Sequence, residues 1–172
     1  MSFLLPPVLA SLQDFAAHSA TDVDYWICLI KTLTKAFMLD DGVFWRDDKL
    51  RQMAKPLVGQ ISICVELENA IAKACLPECL VALGDSITDD TLLKTLNIDI
   101  LMHTRSDAAK VRIFALQCSE LLWRNDGGKL LGFVPETITF IAECAEDEHD
   151  LVVDAARSLK DAVESVAGKI DV

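Results

Sequence analysis

Residues 106–115 read Ser-Asp-Ala-Ala-Lys-Val-Arg-Ile-Phe-Ala, which is a turn followed by the start of an amphipathic helix. Ser106 and Asp107 carry the short oxygen-bearing side chains that cap helix N-termini. The valine can fill the seam between two helices, and the final alanine lets a neighbouring helix approach closely. Arg112 can pair with a turn aspartate of its own or the adjacent repeat. The stretch therefore predicts one unit of a helical repeat.

The rest of the chain shows helical periodicity from end to end, and strand patterns are nearly absent. Val152, Ala156, Leu159, Val163 and Val166 recur at steps of four, three, four and three, which places one apolar stripe along a helix. Glycines that end apolar runs, and Ser/Thr-Asp pairs that follow them, mark the helix boundaries. We predict about eight helices, at roughly 4–19, 22–40, 47–64, 66–84, 89–104, 107–126, 128–146 and 149–168.

These helices form pairs that repeat with a period of about 41 residues, a shift that aligns Ala74, Ala115 and Ala156. A helix pair recurring near that length is typical of an alpha solenoid of the HEAT type. We therefore predict an all-α fold and a single HEAT-repeat domain over residues 1–172, stacked as a right-handed superhelix. Its four helix pairs are expected at about 4–40, 47–84, 89–126 and 128–168.

A structural ladder of ion pairs is expected from Asp107, Arg112 and Asp147, because Asp147 follows Asp107 by about one repeat. The last repeat has Val153-Asp154 where Val-Arg would stand. The ladder is therefore expected to stop at Arg112, as in a terminal repeat.

Composition excludes several classes of protein. The chain has 172 residues, 52% of them hydrophobic, which is too apolar for a disordered tail. Its six cysteines contain no Cys-x-x-Cys pair, so a disulfide framework is not expected. The net charge of -11 argues against a surface that neutralises nucleic-acid phosphate. Residues 128–172 hold ten acidic and four basic side chains, which would repel phosphate there.

Two constellations could suggest chemistry. Residues 84–86, Gly-Asp-Ser, match the nucleophile block of the SGNH hydrolases. That mechanism needs an Asp-x-x-His pair, but Glu146 stands three residues before His149, and the parallel sheet is missing. Cys75 and Cys79 share a helical face, yet zinc needs four ligands. We expect no catalytic residue, no metal site, no cofactor and no enzymatic activity.

Partner contacts are expected in the N-terminal half. The polar loop 40–48 is the longest predicted loop, and its Trp45 is a candidate aromatic contact. Basic side chains on two helices could form a small strip that contacts phosphate, although a solvated helix face explains them equally well. The candidates on one helix are Lys49, Arg51 and Lys55, and those on another are Lys31 and Lys35.

A family resemblance is carried by five motifs: Leu-Lys-Thr-Leu-Asn, Thr-Arg-Ser, Lys-Val-Arg, Val-Pro-Glu-Thr-Ile-Thr-Phe-Ile-Ala-Glu and Glu-Asp-Glu. They stand at residues 93–97, 104–106, 110–112, 134–143 and 146–148. Over about residues 88–168 the chain resembles the C-terminal domain of the very large HEAT-repeat subunits of the small-subunit processome, the tenth of the U-three protein (Utp) set. Thr139 stands where that family usually has a second proline, which leaves the resemblance intact.

The resemblance implies a non-catalytic scaffold of the nucleus and nucleolus that supports ribosomal DNA transcription and pre-rRNA processing toward 18S rRNA. The implied partners are other subunits of the early-loading Utp subcomplex. Pre-rRNA and a box C/D snoRNP would be particle components, and direct RNA contact by this domain is not expected. The alternative is a HEAT adaptor of transport or signalling whose acidic surface binds basic peptides.

The resemblance also implies that the chain is a C-terminal fragment of a much larger protein. An apolar first helix would then normally abut a preceding repeat, so the isolated fragment is expected to self-associate through it. Its apolar side chains are Phe3, Leu4, Leu5, Val8, Leu9, Leu12 and Phe15.

Overall fold

The computed structural model describes residues 5–17 and 22–169, and this part of the chain contains helices and no strand. The all-α class is confirmed. The helices are α1 Leu5–Ala17, α2 Val23–Met38, α3 Asp47–Val58, α4 Gln60–Glu66, α5 Ala70–Ser86, α6 Asp90–Met102, α7 Ala109–Leu130, α8 Val134–Ala145 and α9 Asp150–Ala167. No helix in the described ranges has the length and apolar character to cross a membrane.

The helices belong to two compact units that divide after Asp89. In the first unit, α2 packs mainly against α5, while α1 contacts α3 and α4. In the second unit, α9 packs against both α7 and α8, and α6 contacts α7 and α8. Phe3 and Leu4, which the predicted self-association involves, lie outside the described residues, as do the side chains of Leu5 and Phe15.

Side-chain caps begin two of the helices. Asp22 precedes α2, and its carboxylate accepts a hydrogen bond from the Tyr25 amide at 2.9 Å, as predicted for that boundary. Asn69 caps α5 by accepting from two amides of the first turn. Ser106 does not cap α7 directly, because that helix begins only at Ala109 and the Ser106 hydroxyl accepts from the Ala108 amide at 3.3 Å.

Helix boundaries near two prolines differ from the prediction. The helix predicted over 47–64 is divided at Gly59 into α3 and α4, three residues after Pro56. A proline inside a helix removes an amide donor and distorts the preceding turn, and glycine has a low helix propensity, so the division is local in origin. The helix predicted over 128–146 begins only at Val134, so that Pro135 lies in the first turn of α8, where no intrahelical bond is lost.

The predicted helix end near residue 126 is wrong, because α7 continues through Gly127 and Gly128 to Leu130. Gly127 is buried where α7 meets α9, and a Cβ atom added there would lie 2.6 Å from Cγ2 of Val166. The glycine therefore permits a close approach of two helices, and its role is packing rather than termination.

A buried tryptophan anchors the core of the first unit. Trp26 is fully buried, and its indole N–H donates to Oε1 of Gln60 at 2.9 Å. The Gln60 amide nitrogen in turn donates to the main-chain carbonyls of Leu12 and Pro56, each at 3.1 Å. One buried amide therefore satisfies the indole and joins α4 to α1, α2 and α3.

The second unit uses the same device with different residues. Trp123 is fully buried, and its indole N–H donates to Oδ1 of Asn97 at 3.2 Å. The Asn97 amide donates to Oγ1 of Thr137 at 3.1 Å, and the Thr137 hydroxyl donates to the Phe133 carbonyl at 3.0 Å. The chain of bonds joins α7, α6 and α8. Trp26 and Trp123 therefore both serve in core packing.

All six cysteines lie in the described part of the chain and are free thiols. Five are buried, and burial raises the pKa of Cys64 and of Cys79 to about 12. Those thiols stay protonated and act as small core side chains. Cys28 on α2 is the exposed one.

Candidate interaction surfaces

Arg112 of α7 is held almost completely inside the second unit. Its Nε lies 2.8 Å from Oδ2 of Asp147, within ion-pair distance, and one terminal nitrogen donates a hydrogen bond to Oδ1 at 2.9 Å. The other terminal nitrogen donates to the carbonyls of Ser106 and Asp107. The hydrogen bond between the two side chains lowers the pKa of Asp147 and raises the pKa of Arg112. In the predicted ladder, Asp107 thus contributes its main-chain oxygen to the guanidinium.

Two further ion pairs join α6, or the turn after it, to α8. Lys94 pairs with Glu136, and Arg105 donates to both carboxylate oxygens of Glu143 at 2.7 and 2.8 Å. Each pair spans about one repeat in sequence, as the period predicts. These cations are therefore used between helices of the unit, which leaves them less available to an external ligand.

The first unit has a comparable connection at Asp47. Its carboxylate accepts from the Thr88 hydroxyl at 2.7 Å and from the Thr88 and Asp89 amides at 3.1 and 3.3 Å. The Thr88 hydroxyl bond is the largest cause of the lowered pKa of Asp47. Arg51, a predicted phosphate contact, instead binds Asp89 at 2.7 Å.

Trp45 is not an exposed partner contact, which corrects the prediction. Its side chain is only 8% exposed and packs edge-on against the rings of Phe37 and Phe44, with centroids 4.8 and 4.9 Å away. The physical reason is Asp40, whose carboxylate accepts from the amides of Gly42, Phe44 and Trp45 and so turns the loop inward. Burial removes the indole from the surface that a partner could reach.

The basic residues of α3 do not form a free strip. Lys49 donates to the Phe44 carbonyl at 2.9 Å, and its ammonium lies 3.8 Å from the centroid of the Phe44 ring. Arg51 is paired with Asp89, as described above. Lys55 is exposed. Two of the three predicted contacts therefore hold the first unit together, and this leaves one exposed ammonium for a ligand.

A groove along α2 and α5 is a surface that sequence reasoning missed. It has a volume of about 610 Å³ and is lined on α2 by Ile27, Cys28 and Met38, together with the ammonium-bearing Lys31 and Lys35. The sequence shows the two lysines one helical turn apart, but not that Glu78 of α5 lines the same groove. Only the packing of the two helices reveals that these lysines border an apolar floor.

The geometry around Ser86 is that of a helix end. Ser86 is the last residue of α5, and its hydroxyl donates to the Ala82 carbonyl at 2.9 Å. A hydrolase nucleophile would instead follow a buried strand. Within residues 5–17 and 22–169, no group of three or more His, Cys, Asp or Glu side chains is arranged to hold a metal ion.

No family model matches the chain, but several proteins are similar to it over most of its length. The HEAT repeat-containing protein 1 homolog of Drosophila melanogaster is 30% identical over 148 residues, or 86% of this chain. HEAT repeat-containing protein 1 of Homo sapiens is 28% identical over 145 residues, or 82%. The U3 small nucleolar RNA-associated protein 10 of Candida albicans is 24% identical over 173 residues, or 98%. The chain spans only 7 to 9% of these relatives.

The similarity extends further than the motifs at residues 88–168 indicated, since it covers 82 to 98% of the chain. The Drosophila and human relatives are HEAT-repeat proteins by name, which together with the helical fold confirms the predicted alpha solenoid. Their names also agree with the family identified from the sequence motifs. The chain is therefore a relative of one segment of the proteins named HEAT repeat-containing protein 1 and U3 small nucleolar RNA-associated protein 10.

Proposed function

We propose that the chain is a non-catalytic scaffold module of the nucleolar small-subunit processome, where it supports pre-rRNA transcription and processing toward 18S rRNA. The observation that carries this proposal is the similarity, over 98% of the chain, to a protein named for association with the U3 small nucleolar RNA. A solenoid provides extended helix surfaces for partners, which suits a scaffold. Two of the relatives are named for their HEAT repeats and not for an enzymatic activity.

The charges of the chain support protein contacts over direct RNA contacts. Arg51, Arg105 and Arg112 pair with carboxylates of their own unit, so they add little to a phosphate-binding surface. The net charge of -11 also disfavours contact with the phosphates of RNA. The proposed partners are therefore subunits of the early-loading Utp subcomplex, with pre-rRNA and a box C/D snoRNP present as particle components.

Purification of the tagged full-length protein tests this proposal. We expect copurification of processome subunits, precursor rRNA and the U3 RNA, and nucleolar localisation of the protein. Recovery with transport receptors and basic cargo peptides would instead support an adaptor. A version that lacks residues 1–172 separates the module from the rest of the protein. If this segment is a scaffold, its removal lowers the recovery of specific subunits.

RNA contact can be tested in the same particles. Ultraviolet crosslinking is expected to join RNA to other subunits and not to peptides of this segment. Frequent crosslinks within residues 1–172 would contradict the proposed division between protein and RNA contacts.

A further inference from the structure

The end of the α2 groove carries a cluster of exposed apolar side chains. Leu39, Met38 and Val43 are 83%, 71% and 67% exposed. With Leu151 of α9, at 68%, they are the four most exposed large hydrophobic side chains in the described part of the chain. Three of the four thus lie within six consecutive positions. Such clusters on a soluble protein mark interaction sites far more often than single exposed apolar residues do.

The loop that carries Val43 is held in one conformation. Asp40 accepts three main-chain amides of the loop, and the ammonium of Lys49 covers the Phe44 ring while it donates to the Phe44 carbonyl. Trp45 holds the loop against α2, because its buried indole packs on the ring of Phe37. A partner would therefore meet apolar side chains on a fixed backbone, which reduces the ordering cost of binding.

The charges of the groove indicate what kind of partner fits it. Lys31 and Lys35 are exposed, lie one turn apart, and form no ion pair with the residues that the structure describes. This contrasts with Arg51 and Arg112, whose guanidinium groups are paired. Two unpaired ammonium groups beside an apolar floor are complementary to an apolar surface flanked by carboxylates.

Carboxylates in the same groove disfavour nucleic acid as the ligand. Asp24 lines the groove at the N-terminal end of α2, whereas Lys35 lies in the last turn of that helix. Glu78 of α5 also lines the groove. A phosphate backbone would be repelled by both, whereas a protein segment can place a cation near Asp24 and carboxylates near the two lysines. The length of α2 from Asp24 to Met38 is about 21 Å, enough for about four turns of a second helix.

We propose that this surface, formed by the α2 groove and the apolar cluster at its end, binds an amphipathic helix of another protein. The apolar side chains of that helix pack on Ile27, Met38 and Leu39, and its carboxylates pair with Lys31 and Lys35. The inference deepens the scaffold role by naming the partner chemistry. It requires that the chain binds proteins, and it does not require that the assembly is the processome.

Zero-length carbodiimide crosslinking tests the pairing, because it joins an ammonium only to a carboxylate in direct contact. It is applied to the complexes that purify with the full-length protein. The expected products join Lys31 or Lys35 to Asp or Glu within one helical segment of another protein. Products that join these lysines only to Asp24 or Glu78, or ultraviolet crosslinks of this surface to RNA, would overturn the proposal.

A synthetic peptide of the crosslinked helix then serves as the probe. Met38→Asp, or Lys31→Glu with Lys35→Glu, is expected to weaken its binding at least about tenfold, as for central interface residues. Leu151→Asp and Lys55→Glu are the matched controls, since both side chains are exposed and lie outside the groove.

A second measurement uses the exposed thiol of Cys28, which should react more slowly with maleimide when the peptide is bound. Equal losses in test and control variants, or an unchanged Cys28 rate, would contradict the proposal. Because the peptide assay contains no processome component, failure of the processome assignment leaves its result interpretable.

Discussion

Arg112 and Asp147 form an ion pair whose two side chains are only 11% and 12% exposed. The guanidinium also binds two main-chain carbonyls of the turn before α7, so a single side chain closes that turn and fixes it to the residues before α9. Truncation would leave a buried carboxylate without its main donor, together with two carbonyls that have lost theirs.

The first prediction concerns this pair. Arg112→Ala is expected to lower the free energy of unfolding by about 3 kcal/mol or more, because one partner of a buried pair is removed. Arg157→Ala is the matched control: Arg157 pairs with Asp154 at 2.7 Å, but both side chains are more than 60% exposed. That change should cost about 0.5 kcal/mol or less. Urea unfolding measures both, and similar losses would refute the structural role of Arg112.

The second prediction concerns acid stability. The pKa of Asp147 is lowered in the folded chain, chiefly by its hydrogen bond to Arg112. The carboxylate therefore contributes stability that is fully present above its unfolded pKa, about 3.9, and is lost as the pH falls through the lower folded pKa. Asp147→Asn should reduce stability at neutral pH and flatten its decline in acid. Thermal unfolding between neutral and acidic pH checks this, with Asp154→Asn as the exposed control.

The third prediction separates the two glycines of α7. Gly127→Ala should destabilise the second unit, because the new methyl would meet Val166 at 2.6 Å and force α7 and α9 apart. Gly128→Ala should stabilise it by about 0.5 to 1 kcal/mol, since nothing lies within 4 Å of its added Cβ and alanine favours the helix. Denaturation midpoints measure the difference. Stabilisation by both changes would show that Gly127 is not a packing position.

The fourth prediction concerns the buried amide of the second unit. Asn97→Ala removes the acceptor of the Trp123 indole and the donor to Thr137, so it should cost about 2 to 4 kcal/mol. Gln60→Ala should have a comparable effect in the first unit, because Gln60 bridges Trp26 to two carbonyls. Gln52→Ala, on an exposed amide of α3, is the control. Equal stability of all three variants would argue against the amide bridges.

The sequence predicts most of the helices because their stripes are local. The apolar steps from Val152 to Val166 lie on one helix, and the Asp22 cap lies beside the helix it begins. The role of Gly127 was not predictable in this way. A glycine after a helix and a glycine inside one look alike in sequence, and what distinguishes them here is Val166, about forty residues later.

For the predicted partner contacts, too, the sequence indicates what depends on neighbouring residues and misses what depends on packing between distant ones. The sequence predicts a long loop after α2, but it also predicts that the aromatic residue of this loop, Trp45, lies at the surface. Trp45 is buried because Asp40 binds three amides around a turn that includes Gly42, whose φ is +81°. A string of polar residues does not show that geometry. The sequence shows Lys31 and Lys35 one turn apart, but the groove that they line also includes Glu78 of α5, whose position only the fold provides.

The last prediction follows from the Asp40 turn. Asp40→Ala removes the acceptor for three amides, so the loop should loosen and Trp45 should become partly solvated, while α2 and α5 remain folded. Fluorine NMR of 5-fluorotryptophan-labelled protein resolves three tryptophans, and only the Trp45 resonance should move toward the solvent-exposed position. Asp41→Ala, on the neighbouring exposed side chain, should leave the Trp45 resonance unchanged.

The Asp40→Ala variant also tests whether the order of the loop contributes to binding. Since the exposed cluster at Met38 and Leu39 continues into this loop, Asp40→Ala should also weaken binding of the helix peptide, although Asp40 is not one of the proposed contact residues. Unchanged peptide affinity with a shifted Trp45 resonance would show that the order of the loop does not contribute to binding.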